Sequence, residues 1–400
     1  MQYQLPDSSI SGNWDGFYQN NYLKYTIMKK LKNYSVFAVL TLLLLASCRK
    51  EQMAPAKAGG IAPNGGSAPT GVYVLNRGIL NSFFPVNATG SIVYTYTSGS
   101  LSYYNIMSKK LIADEYSMAN GTQTQIGGGS DLKIYGSKMY ILGFSGITVI
   151  DARTSKLIQH VNLSGGGIAF YKENIFISGF EQVTVLDTTT FSLTKTISLG
   201  GGNYDNLADG GLAVANSTLY IANSGIYDAT ISTIDLTTLT VSDPIIKVIP
   251  QTTTMTTDGN GNIYTLSPFD ENAGFEFQAV GGLTVVSPKT NVPTFTTQAQ
   301  APFNNLALTG AGNFVYFFDN SNNLLAYNAT THAVTHFVTD GTSFIHPTCI
   351  AASATTGEVF VGDAKDGRTN GIVYAFNKIG KLEYNITAGI NPSQILLLQN

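Results

Sequence analysis

The sequence is short of charge, cysteine, histidine and tryptophan. Charged residues make up 12% of its 400 residues, about half the usual share, and the formal net charge is -3. No basic cluster follows the first fifty residues, which argues against nucleic acid as a partner. Two cysteines cannot form a disulfide framework, and the single tryptophan, Trp14, excludes a cofactor site built from repeated tryptophans.

The front of the chain has the pattern of an export signal. From Met28 the sequence MKKLKNYSVFAVLTLLLLASC joins three lysines to an apolar run, Val36 to Leu45, which is too short to span a bilayer comfortably. The motif Leu45-Ala46-Ser47-Cys48 is similar to the lipobox of bacterial lipoproteins, whose cysteine thiol carries a diacylglycerol. We therefore expect a lipid anchor on Cys48. The alternative is an ordinary signal peptide with a chance cysteine.

These features divide the chain into four parts. Residues 1–27 precede a complete signal peptide and indicate a misassigned start, and residues 28–48 are the signal with its lipobox. Residues 49–70 are rich in Gly, Ala and Pro and predict a flexible tether, while residues 71–400 form the folded body. With Cys48 lipidated, Cys349 has no disulfide partner, and its apolar surroundings predict a buried, inert thiol.

The body is predicted to be all-β. It shows no sustained helical period, and alternating runs rich in Val, Ile, Tyr, Thr and Phe recur between Gly, Asn and Asp turns. KMYILGFSGITVIDARTSKLI and NIFISGFEQVTVLDTTTFSLT exemplify a unit of strand, loop, strand, tight turn and strand. A short polar side chain suited to begin the tight turn recurs every 36 to 52 residues, which predicts a β-propeller of seven four-stranded blades. These landmark residues are Asn105, Asp151, Asp187, Asp235, Ser287, Asn328 and Asn377.

The C-terminus supplies a strand that the first unit lacks. Most units follow a short run that fits an innermost strand, whereas GVYVLNRGIL follows only the tether. NPSQILLL matches the missing strand, so we expect it to pair with Val72 to Leu75 and close the ring. Burial of the four aliphatic side chains Ile395 to Leu398 would then contribute about 6 to 12 kcal/mol.

The body resembles the YncE-like seven-bladed propellers, which are surface lipoproteins of Bacteroidetes-type bacteria. The resemblance rests on VYVLNRGIL followed by GSLSYYN, which is similar to the opening blade of that family. The sequence departs from the family where Arg77 replaces an acidic residue and where the next connection is longer. The resemblance implies a place beside outer-membrane transporters and, as in some relatives, the capture of nutrients such as corrinoids.

The two rims of such a propeller differ in this sequence. First-to-second and third-to-fourth turns share one rim and are all short, so we name it the short-turn rim. Second-to-third loops and blade-to-blade links share the other, the long-connection rim, where aromatic residues lie beside Asn, Asp and Arg. Each ring there either binds a ligand or packs its own loop onto the rim. The candidate binding residues are Arg77, Phe83, Phe84, Tyr94, Tyr96, Tyr204, Asp205, Tyr227, Asp228, Phe269, Phe275, Phe277, Phe344, His346 and Arg368.

We therefore expect a lipid-anchored binding or interaction protein of the outer membrane, on the cell surface or the periplasmic face. Its long-connection rim would meet a small molecule, glycan or peptide, or an outer-membrane transporter. No cofactor, metal or catalytic residue is predicted. His346 is the one histidine on this rim, and Lys365 occupies a position where a calcium loop needs an oxygen ligand.

Two alternatives remain. The first is a propeller enzyme of lactonase or lyase type with a metal at the central channel, for which Asp209, Asn304 and Asn305 are the nearest ligands. The second is an architectural envelope protein that has no small ligand.

Overall fold

The computed structural model describes residues 67–80, 96–97, 99–121, 126, 128–179, 181–199, 211–223, 230–249, 252, 254–267, 281–297 and 307–399. These residues belong to the second of two compact units, Met53–Asn400. The predicted upstream extension, signal, lipidation site at Cys48 and most of the tether lie outside the described residues. Within the described ranges no helix is long and apolar enough to cross a membrane.

The described chain forms seven antiparallel sheets of four strands each, which confirms the predicted seven-bladed propeller. Blade one combines the two ends of the body, and from the innermost strand outward its strands are Pro392–Gln399, Pro69–Asn76, Ser100–Asn105 and Lys110–Ile112. A two-stranded hairpin, Ile79–Leu80 with Tyr96–Thr97, extends from this blade. A short helix, Glu115–Asn120, follows its outermost strand.

The other six blades use consecutive strands. In the same inner-to-outer order they are as follows: blade two, Gly129–Tyr135, Lys138–Gly143, Gly146–Asp151, Leu157–Val161; blade three, Ile168–Tyr171, Asn174–Gly179, Gln182–Asp187, Leu193–Ser198; blade four, Leu212–Ala215, Thr218–Asn223, Thr230–Asp235, Thr240–Lys247; blade five, Thr254–Thr257, Ile263–Ser267, Gly282–Ser287, Val292–Thr297; blade six, Leu308–Ala311, Phe314–Phe318, Leu324–Asn328, Val334–His336; blade seven, Pro347–Ala352, Val359–Asp363, Asn370–Phe376, Leu382–Ile390.

The core is a ring of apolar clusters between neighbouring blades. Seven clusters of buried side chains are present in the described residues, one at each contact between two blades. The middle strands of a blade are therefore apolar on both faces, as in Val359–Asp363, where all five residues are buried. The outermost strands face solvent, and Leu193–Ser198 has five exposed positions out of six.

All seven landmark residues begin third-to-fourth turns, as predicted. In blade three, the Oδ1 atom of Asp187 accepts hydrogen bonds from the backbone N–H groups of Thr189, at 2.9 Å, and Thr190, at 2.7 Å. The other six side chains likewise accept from backbone N–H groups two to four residues further on. Each turn is thus closed by its own side chain, which explains the recurring residue type.

The tail closes the ring in the predicted way. Val74 pairs with Ile395 and Val72 with Leu397, and the pairing extends back to Pro69, two residues before the predicted start of the body. Ile395 packs into the cluster shared with blade seven, whereas Leu396 and Leu398 pack against the cluster shared with blade two. Side-chain bonds add to this contact, since the hydroxyl of Ser393 donates to the carbonyl of Gly129 in blade two at 3.0 Å.

The predicted burial of the tail needs correction. Of the four aliphatic side chains in the tail only Ile395 is buried, and Leu396 to Leu398 are half-buried, because the innermost strand lines the central channel. The estimate of 6 to 12 kcal/mol is therefore too high, and roughly half of it is reasonable.

The helix Glu115–Asn120 was not predicted because its six residues are too few to show a period. Its Tyr116 fills the space between blades one and two.

Candidate functional site

The short-turn rim is tied together between blades by tyrosine hydroxyls. Tyr135 of blade two donates to the carbonyl of Lys172 in blade three at 2.7 Å, and the hydroxyl of Tyr220 of blade four donates to Asn291 Oδ1 in blade five at 2.9 Å. Burial raises the pKa of Tyr220 to about 12, so the hydroxyl stays protonated and can donate. This rim therefore uses its polar groups to hold the scaffold.

Ten of the fifteen predicted binding residues of the long-connection rim lie outside the described residues. Tyr96 lies in the hairpin opposite Leu80, but its side chain is not among those described. Arg77, Phe344, His346 and Arg368 are described. The others, which lie outside the described residues, are Phe83, Phe84, Tyr94, Tyr204, Asp205, Tyr227, Asp228, Phe269, Phe275 and Phe277.

The four described residues come from three segments that meet where blade seven adjoins blade one. Asn391, the single residue between the last two strands, joins two of these segments. Its side-chain nitrogen Nδ2 donates to the carbonyl of Gly78 at 2.8 Å and to the carbonyl of Gly367 at 3.0 Å. Its own carbonyl accepts from the backbone N–H of Arg77 at 2.8 Å. One side chain thus places the loop of Arg77 beside the loop of Arg368.

Asp363 holds the third segment, the link that carries Phe344 and His346, at the same junction of blades seven and one. This fully buried residue ends the second strand of blade seven. Its Oδ2 atom accepts from the backbone N–H of Ile345 at 2.8 Å, and Oδ1 accepts from those of His346 at 2.9 Å and Lys365 at 2.8 Å. Both carboxylate oxygens are therefore occupied by backbone donors, and the link that carries His346 is fixed against the loop of Lys365.

Phe344 anchors the same link by packing. Its ring is half-buried and lies 5.8 Å from Phe318, 5.4 Å from Tyr374 and 6.0 Å from Phe376, measured between ring centroids. These edge-on contacts are favourable for aromatic pairs and hold the link on the contact between blades six and seven. A direct role for Phe344 in binding stays a prediction.

The side chains presented at this junction are mainly basic. Arg77, His346 and Arg368 are exposed and Lys365 is half-buried; we name these four residues the junction cluster. Among the described residues no carboxylate lies within 4.0 Å of the cationic groups of Arg77, Lys365 or Arg368.

The carboxylate of Asp366, the residue after Lys365, also accepts hydrogen bonds from its surroundings. Hydrogen bonds to its Oδ1 atom come from the backbone N–H of Thr369, at 2.8 Å, from the Thr369 hydroxyl, at 2.8 Å, and from the backbone N–H of Arg368, at 3.0 Å. These donors, led by the Thr369 N–H, lower the pKa of Asp366 to about 2. In the loop that superficially resembles a calcium site, the carboxylates of Asp363 and Asp366 thus accept hydrogen bonds from backbone N–H groups.

A second polar region is the central channel. Residues of all seven blades, mostly from the innermost strands, line a cavity of about 440 Å³. Asp131 and Lys133 are the charged residues of its described lining, and Lys133 Nζ lies 2.9 Å from Asp131 Oδ1. No group of three His, Cys, Asp or Glu that could hold a metal ion occurs in the described ranges. Asp209, Asn304 and Asn305, the nearest ligands considered for an enzyme, lie outside them.

Cys349 lies beside the junction, on the innermost strand of blade seven. The thiol is buried, as predicted, and burial raises its pKa to about 12, although the positive charge of Arg77 acts in the opposite direction. The sequence analysis missed Asn391 and Asp363, which position the cluster, although the Asn-Pro pair at 391–392 is a recognised turn signal.

The sequence matches no protein-family model and no curated protein. In structure it is similar to a quinonprotein alcohol dehydrogenase-like protein from Bacteroides thetaiotaomicron, with a TM-score of 0.58, 15% identity and coverage of 84% of this chain and 79% of that one. BamB from Moraxella catarrhalis has a TM-score of 0.45 and 14% identity over 84% of this chain and 96% of its own. At these identities the likeness concerns the propeller fold alone. The narrower resemblance to YncE-like lipoproteins stays a prediction.

Proposed function

We propose that this chain is a lipid-anchored binding protein outside the cytoplasm. Its long-connection rim would bind a small ligand or an outer-membrane transporter. The anchor on Cys48 would hold the propeller at the outer membrane, and the tether of residues 49–70 would let the rim reach its partner. The resemblance to YncE-like surface lipoproteins supports the same role.

The observation that carries this proposal is the difference between the two rims. The described turns of the short-turn rim are short and closed by their own side chains, as Asp187 illustrates. The junction cluster on the opposite rim combines three segments of the chain and presents basic groups without a described carboxylate partner. Binding residues concentrate on loops that a rigid scaffold positions, which favours the long-connection rim as the binding face.

Isolation of the full chain from detergent-solubilised membranes tests the proposal. We expect either a bound small molecule, detected by mass spectrometry, or a transporter in stoichiometric amount. A Cys48→Ser variant should fail to sediment with membranes. Recovery of the propeller alone, or normal membrane association of the variant, would contradict the proposal.

The enzyme alternative would depend on the channel, where Asp131 and Lys133 pair. A metal analysis of the same preparation separates the two functions. Stoichiometric calcium or zinc would favour an enzyme, because the binding proposal requires neither metal.

A further inference from the structure

We propose that the junction cluster binds an anionic group of the ligand, namely a carboxylate, phosphate or sulfate. This inference rests on the proposed function, since it places the contact on the same long-connection rim. Arg77 and Arg368 would grip the anion, Lys365 would add a third positive charge, and His346 would border the site.

The first argument is that the site is built and held by the fold. Gly78 and Gly367 are 289 positions apart in the sequence, yet the side-chain nitrogen of Asn391 donates to both of their carbonyls. Asp363 in turn holds the backbone of His346 and Lys365. The four side chains therefore leave from backbone positions that hydrogen bonds fix relative to one another, which reduces the ordering cost of gripping a ligand.

The second argument concerns charge. The cluster contains three cationic side chains, and two carboxylates lie nearby. Asp363 accepts three hydrogen bonds, from the backbone N–H groups of Ile345, His346 and Lys365. Asp366 accepts three from Arg368 and Thr369 of its own loop. Both oxygens of Asp363 and one oxygen of Asp366 are thus engaged, and neither carboxylate lies within 4.0 Å of the arginine head groups. Lys133 offers a contrast, because its ammonium is paired with Asp131 at 2.9 Å.

The third argument is the choice of residue. The chain contains only four arginines, at 49, 77, 153 and 368, and two of the three within the described ranges meet at this junction. A guanidinium carries a planar fork of N–H donors that matches the oxygens of carboxylate, phosphate and sulfate groups. Ile345, which is 70% exposed beside His346, would contact an apolar part of the same ligand.

Calorimetric titration of the full chain in non-ionic detergent tests the inference. The probes are inorganic phosphate, sulfate and citrate at constant ionic strength, so that tetrahedral anions and carboxylates are compared separately. We expect saturable binding of at least one probe, and an affinity lower by about tenfold or more in Arg77→Gln/Arg368→Gln. The single variants Arg77→Gln and Arg368→Gln should each lose part of the affinity. If the double variant does not fold, their affinities test the inference in its place.

The matched control is Lys378→Gln/Lys381→Gln, which removes two exposed cations from the short turn of blade seven. It should bind the probes as the wild type does. No saturable binding by the wild type, or an equal loss in the control, would overturn the inference. Co-isolation of a ligand or transporter together with failed anion binding would overturn this inference and leave the proposed function standing. Anion binding without any co-isolated ligand or transporter would support this inference and contradict the proposed function.

Discussion

The charged side chains of the two rims differ in how far the fold itself engages them, as Asp258 and the junction cluster show. Asp258, on the short-turn rim of blade five, accepts four hydrogen bonds of 2.8 to 2.9 Å, two from backbone N–H groups, one from Asn262 Nδ2 and one from the Tyr264 hydroxyl. On the long-connection rim, the head groups of Arg77 and Arg368 are exposed and have no described carboxylate partner. Buried charges with full hydrogen bonding stabilise a fold, whereas exposed unpaired charges are available to a ligand.

Under the proposed function, this difference means that the short-turn rim is scaffold and the exposed side chains of the long-connection rim serve recognition. A ring of seven blades can stay rigid with contacts on one rim only, because apolar clusters already join every pair of neighbouring blades. The second rim is then free to carry long connections. Changes on the scaffold rim should therefore alter stability, and changes to exposed side chains of the other rim should alter binding.

The largest effect is expected from loss of the tail. A chain that ends at Gly389 lacks the innermost strand of blade one and the side-chain bond of Ser393 to blade two. Both the ring and the apolar contacts of Ile395 would be lost, so we expect no cooperative unfolding transition in differential scanning calorimetry. Unfolding at the temperature of the full chain would show that the tail does not close the ring.

The next largest effect is expected at Asp258. Asp258→Ala would leave the buried hydroxyl of Tyr264 and two backbone N–H groups without their acceptor. We expect a loss of about 3 kcal/mol or more in the free energy of unfolding, measured by denaturant titration. Arg368→Ala, the counterpart on the other rim, should change that free energy by less than about 0.5 kcal/mol, because its side chain is exposed. Equal losses would contradict the assigned roles of the rims.

A smaller effect is expected at Asn391. This residue has a φ of 53°, so Asn391→Gly removes the side-chain bonds to Gly78 and Gly367 without straining the backbone. We expect a loss of about 1 to 2 kcal/mol in stability together with weaker anion binding, since the loops of Arg77 and Arg368 would move apart. Unchanged anion affinity would show that the cluster does not depend on this contact.

The smallest effect is expected from the carboxylates of the turns at low pH. Hydrogen bonds from the following threonines lower the pKa of Asp187 and Asp235, and the pKa of Asp366 falls to about 2 from an ordinary value of 3.8. Because these pKa values are depressed in the folded state, the stabilisation is present above the unfolded value and is lost as the pH falls from about 4 toward 2.

Unfolding midpoints between pH 2 and 5 check this expectation. Asp235→Asn keeps an oxygen acceptor for the backbone N–H groups of Thr237 and Thr238 but cannot titrate. Its midpoint should therefore depend less steeply on pH than that of the wild type. Identical slopes would show that the turn carboxylates do not contribute to acid unfolding.

Sequence patterns predicted the fold better than the site. The landmark turns and the missing innermost strand follow from local chemistry, because an Asx side chain bonds its own turn and an apolar tail needs a partner strand. The junction depends instead on contacts between distant segments, since Asn391 and Gly78 are 313 positions apart. Arg77, His346 and Arg368 were recognised as candidates from composition, but nothing local indicated that Asn391 and Asp363 would bring them together.

Paired photo-crosslinking in living cells tests the division between the rims most directly. Blade seven offers a matched pair, because Ile345 is 70% exposed beside the junction cluster and Ile379 is 57% exposed in the opposite short turn. A photoreactive amino acid would replace each residue in turn. The account predicts adducts with a ligand or a transporter from position 345 and none from position 379. Adducts from position 379 in equal or greater yield, or none from position 345, would contradict it.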